Sequence, residues 1–308
     1  MAIVAVYKAP QDLFDRIDIL LPQVHAVVLV DDGSDSIDFQ RASSRPGVHS
    51  ISLETNGGIA RSLNVGVERA RSLGAEFVLT LDQDSSVSDR YVSELLATYR
   101  SSESAGVPVG FVAPELVGGA PVLREGTTGN GFDIAFDPIQ SGLLLPTAVI
   151  DEVGDFDERL FIDAVDTDFT VRVRATGKLP IICKGLELGH SLGELLPITL
   201  FGRAVRLRGR TLHVLYHAPF RTYYMVRNSR FLARSRAAAM PPAWWRLRRR
   251  KMASMIIGAL VLGPQKAAQI RAIRRGRADA RAPRLGKISS ETAAAIDGRR
   301  RSRKPVDG

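Results

Sequence analysis

The sequence predicts an α/β fold with a mixed, mostly parallel sheet, followed by a basic helical segment. In the first half of the chain, short β-branched runs alternate with amphipathic stretches, which is the pattern of βαβ units. Charge then changes sign along the chain. Residues 1–200 carry 15 Lys and Arg against 29 Asp and Glu, a net −14, whereas residues 201–308 carry 27 against 4, a net +23. The total of +9 therefore hides two parts of opposite charge.

Composition excludes several classes of protein. The chain has 308 residues, 45% hydrophobic and 24% charged, which suffices for one large or two modest cores. The single cysteine, Cys183, excludes a disulfide scaffold. The first residues form an apolar run of strand length without a basic start, so we expect a buried strand and a cytoplasmic protein. The run 252–263 is shorter than the roughly 20 residues that span a bilayer, so no transmembrane span is predicted.

The predicted elements follow the apolar runs in order. The first half contains four strands and two intervening helices, residues 106–146 form shorter strands and turns, and a helix and a strand follow. The predicted strands are 3–7, 26–30, 48–53, 77–81 and 179–183, and the predicted helices are 13–21, 59–73 and 163–175.

Acidic residues directly follow two of the predicted strands. In parallel sheets ligands bind beyond the carboxyl ends of strands, so Asp32 could hydrogen-bond a base or ribose, or simply form a turn. Asp82 and Asp84 lie one residue apart after the fourth strand, and such a pair can bind Mg²⁺ or Mn²⁺ together with substrate phosphates. The alternative is that this pair caps the next helix.

Three further positions are candidates for chemistry. A Gly-rich turn at 56–58 opens a helix whose free N–H groups, with Arg61, would suit a nucleotide anion. Asp168 can pair with Arg172 four residues on, which leaves Asp166 as a carboxylate able to accept a proton from an attacking hydroxyl. His190, in a glycine-flanked loop, is either a metal or phosphate ligand or a merely hydrogen-bonded histidine.

Taken together, these segments resemble the inverting family 2 glycosyltransferases, most closely the bacterial rhamnosyltransferase branch, which uses dTDP-L-rhamnose. The resemblance spans roughly residues 3–230. Two positions depart from the family pattern: Lys8 replaces the usual Asn, and Val165 replaces the usual acidic residue before the base, a change common in the rhamnosyl branch. The matching segments are Val27 to Ser34, Asn56 to Ala60 with Asn64 and Gly66, Leu81 to Ser85, Ser141-Gly142, Gly154 to Glu158, Leu160 to Asp163, Val165-Asp166, His190 to Gly193, Arg221 to Tyr224 and Arg227-Asn228.

The resemblance implies a GT-A nucleotide-diphospho-sugar transferase fold and roles for particular residues. Asp32 and Arg61 would contact the nucleotide, Asp82 and Asp84 would form a metal-diphosphate site with a divalent cation, Mg²⁺ or Mn²⁺, and His190 would be a further metal ligand. Asp166 would be the catalytic base. The implied reaction transfers L-rhamnose from dTDP-L-rhamnose to a lipid-linked saccharide acceptor in cell-surface polysaccharide assembly.

The domain organisation follows from this resemblance and from the charge boundary. We expect a catalytic domain over 1–200, a basic helical segment at the membrane surface over 201–270, and a basic, partly disordered tail over 271–308. Trp244-Trp245 beside the basic run 246–251 fits an interfacial helix on the inner face of an anionic membrane. The alternative is that this helix packs on the catalytic domain.

The sequence is also compatible with two other functions. A haloacid-dehalogenase-type phosphatase also places an Asp-x-Asp motif after a strand, where the first Asp becomes an aspartyl phosphate. A basic, nucleic-acid-associated protein would account for the charge of 201–308, but nucleic-acid-binding motifs are missing and the acidic strand ends would be unexplained. We therefore expect no nucleic-acid partner.

Overall fold

A computed structural model of the chain describes residues 1–190, 194–197, 199–200, 203–207, 210–211, 213–281 and 284–298. The chain divides into two compact units. The first comprises Met1–Leu192 with Ala238–Met240, and the second comprises Gly193–Ala237 with Pro241–Gly308.

The first unit is built on one ten-stranded sheet with the strand order β3-β2-β1-β4-β9-β5-β10-β8-β7, in which β6 pairs with β5. Seven strands run in one direction, and β6, β8 and β9 run in the opposite one. The predicted mixed, mostly parallel sheet is confirmed. The strands are β1 (Ala2–Val6), β2 (Val27–Asp31), β3 (Val48–Ser52), β4 (Phe77–Asp82), β5 (Val109–Val117), β6 (Ala120–Pro121), β7 (Arg124–Thr127), β8 (Asp133–Ala135), β9 (Leu143–Pro146) and β10 (Leu179–Leu188).

Six helices accompany this sheet, and every side chain of β1 and β2 is buried. The third helix buries Ala60, Leu63 and Val67, which recur at helical spacing. It packs closely on β1, because a Cβ on Gly66 would overlap the side chain of Ile3. The helices are α1 (Leu13–Leu20), α2 (Phe39–Ser43), α3 (Ile59–Ser72), α4 (Tyr91–Ser104), α5 (Thr147–Val153) and α6 (Val165–Ala175).

The second unit begins with short strands, and those after residue 201 lie where the sequence predicted helix. Three antiparallel pairs form, β11 with β16, β12 with β13 and β14 with β15. The helix predicted from residue 201 is therefore corrected for the described residues between Arg203 and Tyr216, which form strands, whereas the helical segment itself begins at Pro219. The strands are β11 (Glu194–Pro197), β12 (Thr199–Leu200), β13 (Arg203–Ala204), β14 (Arg206–Leu207), β15 (Arg210–Thr211) and β16 (His213–Tyr216).

Four helices follow: α7 (Pro219–Ser235), α8 (Pro242–Leu262), α9 (Lys266–Arg281) and α10 (Ser290–Asp297). The tail 271–308, predicted to be partly disordered, thus contains the end of α9 and all of α10, while 282–283 and 299–308 lie outside the described residues. Small buried residues explain α9, since Ala272, Gly276 and Ala280 recur every fourth position and let it approach α7. A Cβ on Gly276 would lie 2.7 Å from the carbonyl oxygen of Tyr223.

The tryptophan pair of α8 is buried. Trp244 and Trp245 are 5% and 6% exposed and meet edge to face, with ring centroids 5.0 Å apart. Their predicted placement at the level of lipid headgroups is therefore wrong in this structure, because buried indoles present little surface to a bilayer. Within the part of the chain that the structure describes, no helix has both the length and the apolar character to cross a membrane.

Candidate active site

The turn after β4 is held against the end of β1. The Tyr7 N–H donates to Gln83 Oε1 at 2.8 Å, and Gln83 Nε2 donates back to the Tyr7 carbonyl oxygen at 3.1 Å. The Gln83 side chain is thereby used to fix the backbone between Asp82, which ends β4, and Asp84. The two carboxylates emerge at the carboxyl end of the parallel strands, where the sequence placed them.

Asp82 is positioned by the segment that precedes β9. Gln140 Nε2 donates to Asp82 Oδ1, and the Asp82 N–H donates to Ser141 Oγ at 3.0 Å. Gly142 has φ +87° and donates its N–H to the Thr80 carbonyl at 2.7 Å. A Cβ at Gly142 would lie 2.5 Å from Tyr91 Oη, so only glycine fits this turn.

His190 reaches the two carboxylates through a backbone bridge. The N–H groups of Ser86 and Gly189 donate to each other's carbonyl oxygens, at 2.7 and 2.9 Å. His190 Nδ1 then lies 3.4 Å from Asp84 Oδ1 and 3.1 Å from Ser85 Oγ, and Nε2 lies 3.8 Å from Asp82 Oδ2. The bridge thus brings together residues more than a hundred positions apart.

The three side chains have the geometry of a metal site. One ligand atom each from Asp82, Asp84 and His190 can be chosen so that all lie within 4.8 Å of one another. All three are half-buried, so each side chain is partly accessible from solvent. Two carboxylate oxygens and an imidazole nitrogen suit a divalent cation such as Mn²⁺.

The carboxylate of Asp32 forms hydrogen bonds with the backbone of the turn that precedes α3. It is 5% exposed, and its two oxygens accept the N–H groups of Gly57 at 2.7 Å and Gly58 at 2.9 Å. The next N–H, of Ile59, donates to the Phe161 carbonyl at 2.9 Å. The N–H groups of Gly57, Gly58 and Ile59, at the turn predicted to bind a nucleotide anion, are therefore bonded within the protein, and Asp32 holds this turn in place.

Arg61 lies on the same turn. It is the third residue of α3, and its side chain passes so close to Gly57 that a Cβ there would overlap Arg61 Cδ. Gly58 has φ +93°, and a Cβ at that position would overlap the Phe161 carbonyl oxygen. The glycine pair therefore allows Asp32, Arg61 and the segment before α6 to meet at one place.

Asp166 follows a strained turn. Phe161, Asp163 and Ala164 have φ of 65°, 63° and 67°, values that non-glycine residues rarely adopt. Asp166 is half-buried in the first turn of α6, and its Oδ1 accepts the Thr167 N–H at 2.8 Å. It does not belong to the Asp82, Asp84 and His190 group among the residues described.

Asp168 shows the pairing that the sequence predicted. It is fully buried and lies 2.8 Å from Arg172 Nε. The Arg172 guanidinium also donates to the carbonyl oxygens of Val153, Gly154 and Asp155. This pair joins α6 to the end of α5, which is a structural role.

Asp31 is a residue whose importance sequence reasoning missed. It is fully buried and accepts the Ser34 N–H at 2.9 Å, the Ser34 hydroxyl at 2.6 Å and the Ser36 N–H at 2.7 Å. Burial opposes its ionisation, but these bonds outweigh burial and hold the pKa of Asp31 below its ordinary value. The two serine hydroxyls in turn accept the N–H groups of Lys8 and Ala9. Serines three and five residues after the acidic strand end Asp31 were the signal available.

Comparison with known proteins decides the family. The family model for Glycosyl transferase family 2 matches residues 1–136. The dTDP-rhamnosyl transferase RfbF of Shigella flexneri is 30% identical over 220 residues, which cover 68% of this chain and 70% of that protein. The chain belongs to glycosyl transferase family 2. It is therefore a glycosyltransferase, which decides against the phosphatase and nucleic-acid alternatives.

Solved structures show the fold of this family 2 chain. The crystal structure of S. aureus TarS 1-349 aligns with a TM-score of 0.56 and 16% identity, covering 91% of this chain and 80% of that one. The structure of GalNAc-T7 with UDP, GalNAc and Mn²⁺ aligns with a TM-score of 0.52 and 13% identity, covering 85% and 57%. These likenesses confirm the predicted GT-A fold.

Proposed function

We propose that this family 2 glycosyltransferase transfers L-rhamnose from dTDP-L-rhamnose, with inversion at the anomeric carbon. The observation that carries the proposal is the convergence of Asp82, Asp84 and His190 at the carboxyl end of β4. The choice of sugar rests on the 30% identical relative, which is named a dTDP-rhamnosyl transferase.

Asp82, Asp84 and His190 would hold a divalent cation, Mg²⁺ or Mn²⁺, at the donor diphosphate. When bound, the cation supplies positive charge for the departing nucleoside diphosphate. Gln140 and Ser141 orient Asp82 through the hydrogen bonds described above, and the backbone bridge between Ser86 and Gly189 orients His190. Pre-positioned charge of this kind stabilises the transition state without reorganisation.

Asp166 is proposed as the catalytic base. The acceptor hydroxyl oxygen attacks the anomeric carbon, its proton passes to the Asp166 carboxylate, and the bond to the diphosphate breaks with its electron pair leaving on the diphosphate oxygen. Attack from the face opposite the leaving group inverts the configuration. The strained turn that precedes α6 supports this role, because such strain persists where a side chain must be held in place.

Arg61 and Asp32 are proposed to act at the nucleotide. Arg61 places a guanidinium beside the Asp32-bonded turn, where it would neutralise the diphosphate. Asp32 would contribute by holding the glycine turn that places Arg61, in addition to any contact of its own with the nucleotide.

The acceptor and the location of the enzyme complete the proposal. We propose a lipid-linked saccharide acceptor in cell-surface polysaccharide assembly, with residues 1–200 as the catalytic part. The net charge of +23 over residues 201–308 supports peripheral attachment to the anionic inner face of the cell membrane.

Donor binding can be tested by thermal shift with dTDP-L-rhamnose, UDP-glucose and GDP-mannose, each with and without Mn²⁺. The proposal predicts the largest rise in Tm with dTDP-L-rhamnose and Mn²⁺ together, since a ligand that binds only the folded state stabilises it. Asp84→Asn should remove the Mn²⁺-dependent part. The matched control is Asp89→Asn in the same loop, an exposed residue, which should behave as wild type. An equal or larger shift with UDP-glucose or GDP-mannose would contradict the donor assignment.

A further inference from the structure

Two helices of the second unit, α7 and α9, run side by side in the same direction. Gln269 Nε2 donates to the His217 carbonyl at 2.8 Å near their N-terminal ends. Gly276 meets the backbone of Tyr223 midway, and Arg234 Nη1 donates to the Ala280 carbonyl at 2.8 Å near the C-terminal ends. These contacts fix which side chains of the two helices are neighbours.

Four arginines meet at the C-terminal end of this helix pair. Arg230 and Arg234 are one helical turn apart on α7, and Arg277 and Arg281 are likewise one turn apart on α9; all four are exposed. Partial burial, together with the charges of Arg277, Arg234 and Arg281, lowers the pKa of Arg230. Arg230 therefore lies close enough to the other three guanidinium groups to be repelled by them.

The protein supplies few carboxylates to balance this cluster. Residues 201–308 contain 4 Asp and Glu in all. Asp279, which lies between the α9 arginines in sequence, is buried and bonded to Arg275 Nε at 3.0 Å and to the Tyr223 hydroxyl at 2.8 Å. Within the described residues, none of the four arginines forms an ion pair with a carboxylate. A concentration of positive charge that no carboxylate among the described residues pairs with is suited to an external anion.

The same face of α9 extends the surface toward its N-terminal end. Ile270, Arg274, Arg277 and Arg281 recur at intervals of four, three and four residues, so they lie along one side of the helix, and each is exposed. At a membrane surface arginine binds headgroup phosphates, and the exposed Ile270 in line with these arginines would add one apolar contact with the acyl boundary.

We propose that the arginine face, formed by Arg230, Arg234, Arg277 and Arg281, is the surface that binds an anionic phospholipid bilayer. Charge complementarity selects this occupant, because the four exposed cations are spread along the outer sides of two partly buried helices and match an array of headgroup phosphates. The inference deepens the proposed membrane attachment by moving the contact from the buried tryptophans of α8 to α7 and α9, and it is independent of the nucleotide-sugar site.

The test is co-sedimentation of the full chain with vesicles of phosphatidylcholine alone or with one third phosphatidylglycerol. The patch variant is Arg230→Gln, Arg277→Gln and Arg281→Gln; Arg234 is kept because it bonds the Ala280 carbonyl. The control removes the same charge from exposed positions of α8, by Arg246→Gln, Arg249→Gln and Arg250→Gln. Wild type and control should bind the anionic vesicles, and the patch variant should bind at least tenfold more weakly.

Three results would overturn the proposal. The first is wild-type affinity of the patch variant for anionic vesicles, and the second is equal binding of the wild type to neutral and anionic vesicles. The third is that millimolar pyrophosphate releases more protein from the vesicles than NaCl of matched ionic strength does, which would indicate a soluble-anion site. The lysine variants Arg230→Lys, Arg277→Lys and Arg281→Lys keep the charge and should bind within about threefold of wild type. Loss of binding in the lysine variants would also contradict it. The rise in Tm with dTDP should be the same in the patch variant and the wild type, and this measurement separates loss of vesicle binding from failure at the donor site.

Discussion

Asp32 shows how a single residue can support a site without lying in it. Both oxygens of this buried carboxylate accept backbone N–H groups of the turn before α3, and that turn carries Arg61. The sequence placed Asp32 correctly at a strand end, but its partners lie 25 residues further along the chain and depend on the packing of α3. A carboxylate at a strand end can either contact a nucleotide or hold a backbone turn, and the local sequence pattern alone does not distinguish these two roles.

Asp32→Asn should destabilise the protein without nucleotide present. In the variant, the amide oxygen can accept one of the two backbone N–H groups, but the amide NH₂ group faces the other N–H and cannot accept it. The unsatisfied buried N–H costs about 1–3 kcal/mol. Urea denaturation checks this, with exposed Asp35→Asn as the control that should leave the free energy of unfolding unchanged. Unchanged stability combined with weakened dTDP binding would instead make Asp32 a nucleotide contact.

Asp31 should make stability depend on pH. Its pKa is held below the ordinary value by the bonds from Ser34 and Ser36, so between the folded and unfolded pKa values the unfolded chain binds more protons. The stabilisation from Asp31 is complete above the unfolded pKa of about 3.9 and is lost as pH falls through the folded pKa. The free energy of unfolding, measured by urea denaturation between pH 3 and 6, should change less with pH in Asp31→Asn than in the wild type. An equal pH dependence in the two proteins would contradict the assignment.

Asp166→Asn should separate binding from chemistry. The amide cannot accept the acceptor proton, so transfer should fall by about 10²–10⁴-fold, the usual contribution of a general base. Donor and Mn²⁺ affinity should stay near wild type, because Asp166 lies outside the Asp82, Asp84 and His190 group. Initial rates with dTDP-L-rhamnose and direct titration of the donor give the two readouts. Near-normal turnover would remove Asp166 from the base role.

At the scale of elements, apolar runs predicted the βαβ half of the fold well. The four predicted strands and two predicted helices of that half are found with ends shifted by one residue, since continuous apolar runs mark buried strands and amphipathic stretches mark helices. Local pattern fails for α9, where arginine-rich composition conceals the buried Ala272, Gly276 and Ala280. It also cannot show the bridge between Ser86 and Gly189, which only the folded sheet creates.

The packing of α3 on β1 gives a prediction at this scale. Gly66→Ala places a methyl group against the Ile3 side chain, and such overpacking typically costs about 1–3 kcal/mol. Gly129→Ala is the control, because a Cβ there meets nothing within 4 Å. Thermal denaturation should show a lower Tm for Gly66→Ala only. Equal Tm values for both variants would mean that α3 can shift without loss.

At the scale of the whole chain, the separate net charges of residues 1–200 and 201–308 are more informative than the net charge of the whole sequence. The acidic residues 1–200 contain the carboxylates that a cation and a diphosphate require, and residues 201–308 contain the arginines that suit a phospholipid surface. Composition predicted this division. The choice between α8 and the arginine face as the proposed membrane-binding surface required the observation that Trp244 and Trp245 are buried. Family membership then gives the acidic part its reaction class.

The most direct measurement of the central claim is Mn²⁺ binding followed by electron paramagnetic resonance in the presence of dTDP. The wild-type protein should bind one Mn²⁺, Asp84→Asn should lose at least tenfold in affinity, and the exposed control Asp89→Asn should match wild type. If Asp84→Asn binds Mn²⁺ with dTDP as tightly as the wild type, the Asp82, Asp84 and His190 group is not the metal-diphosphate site.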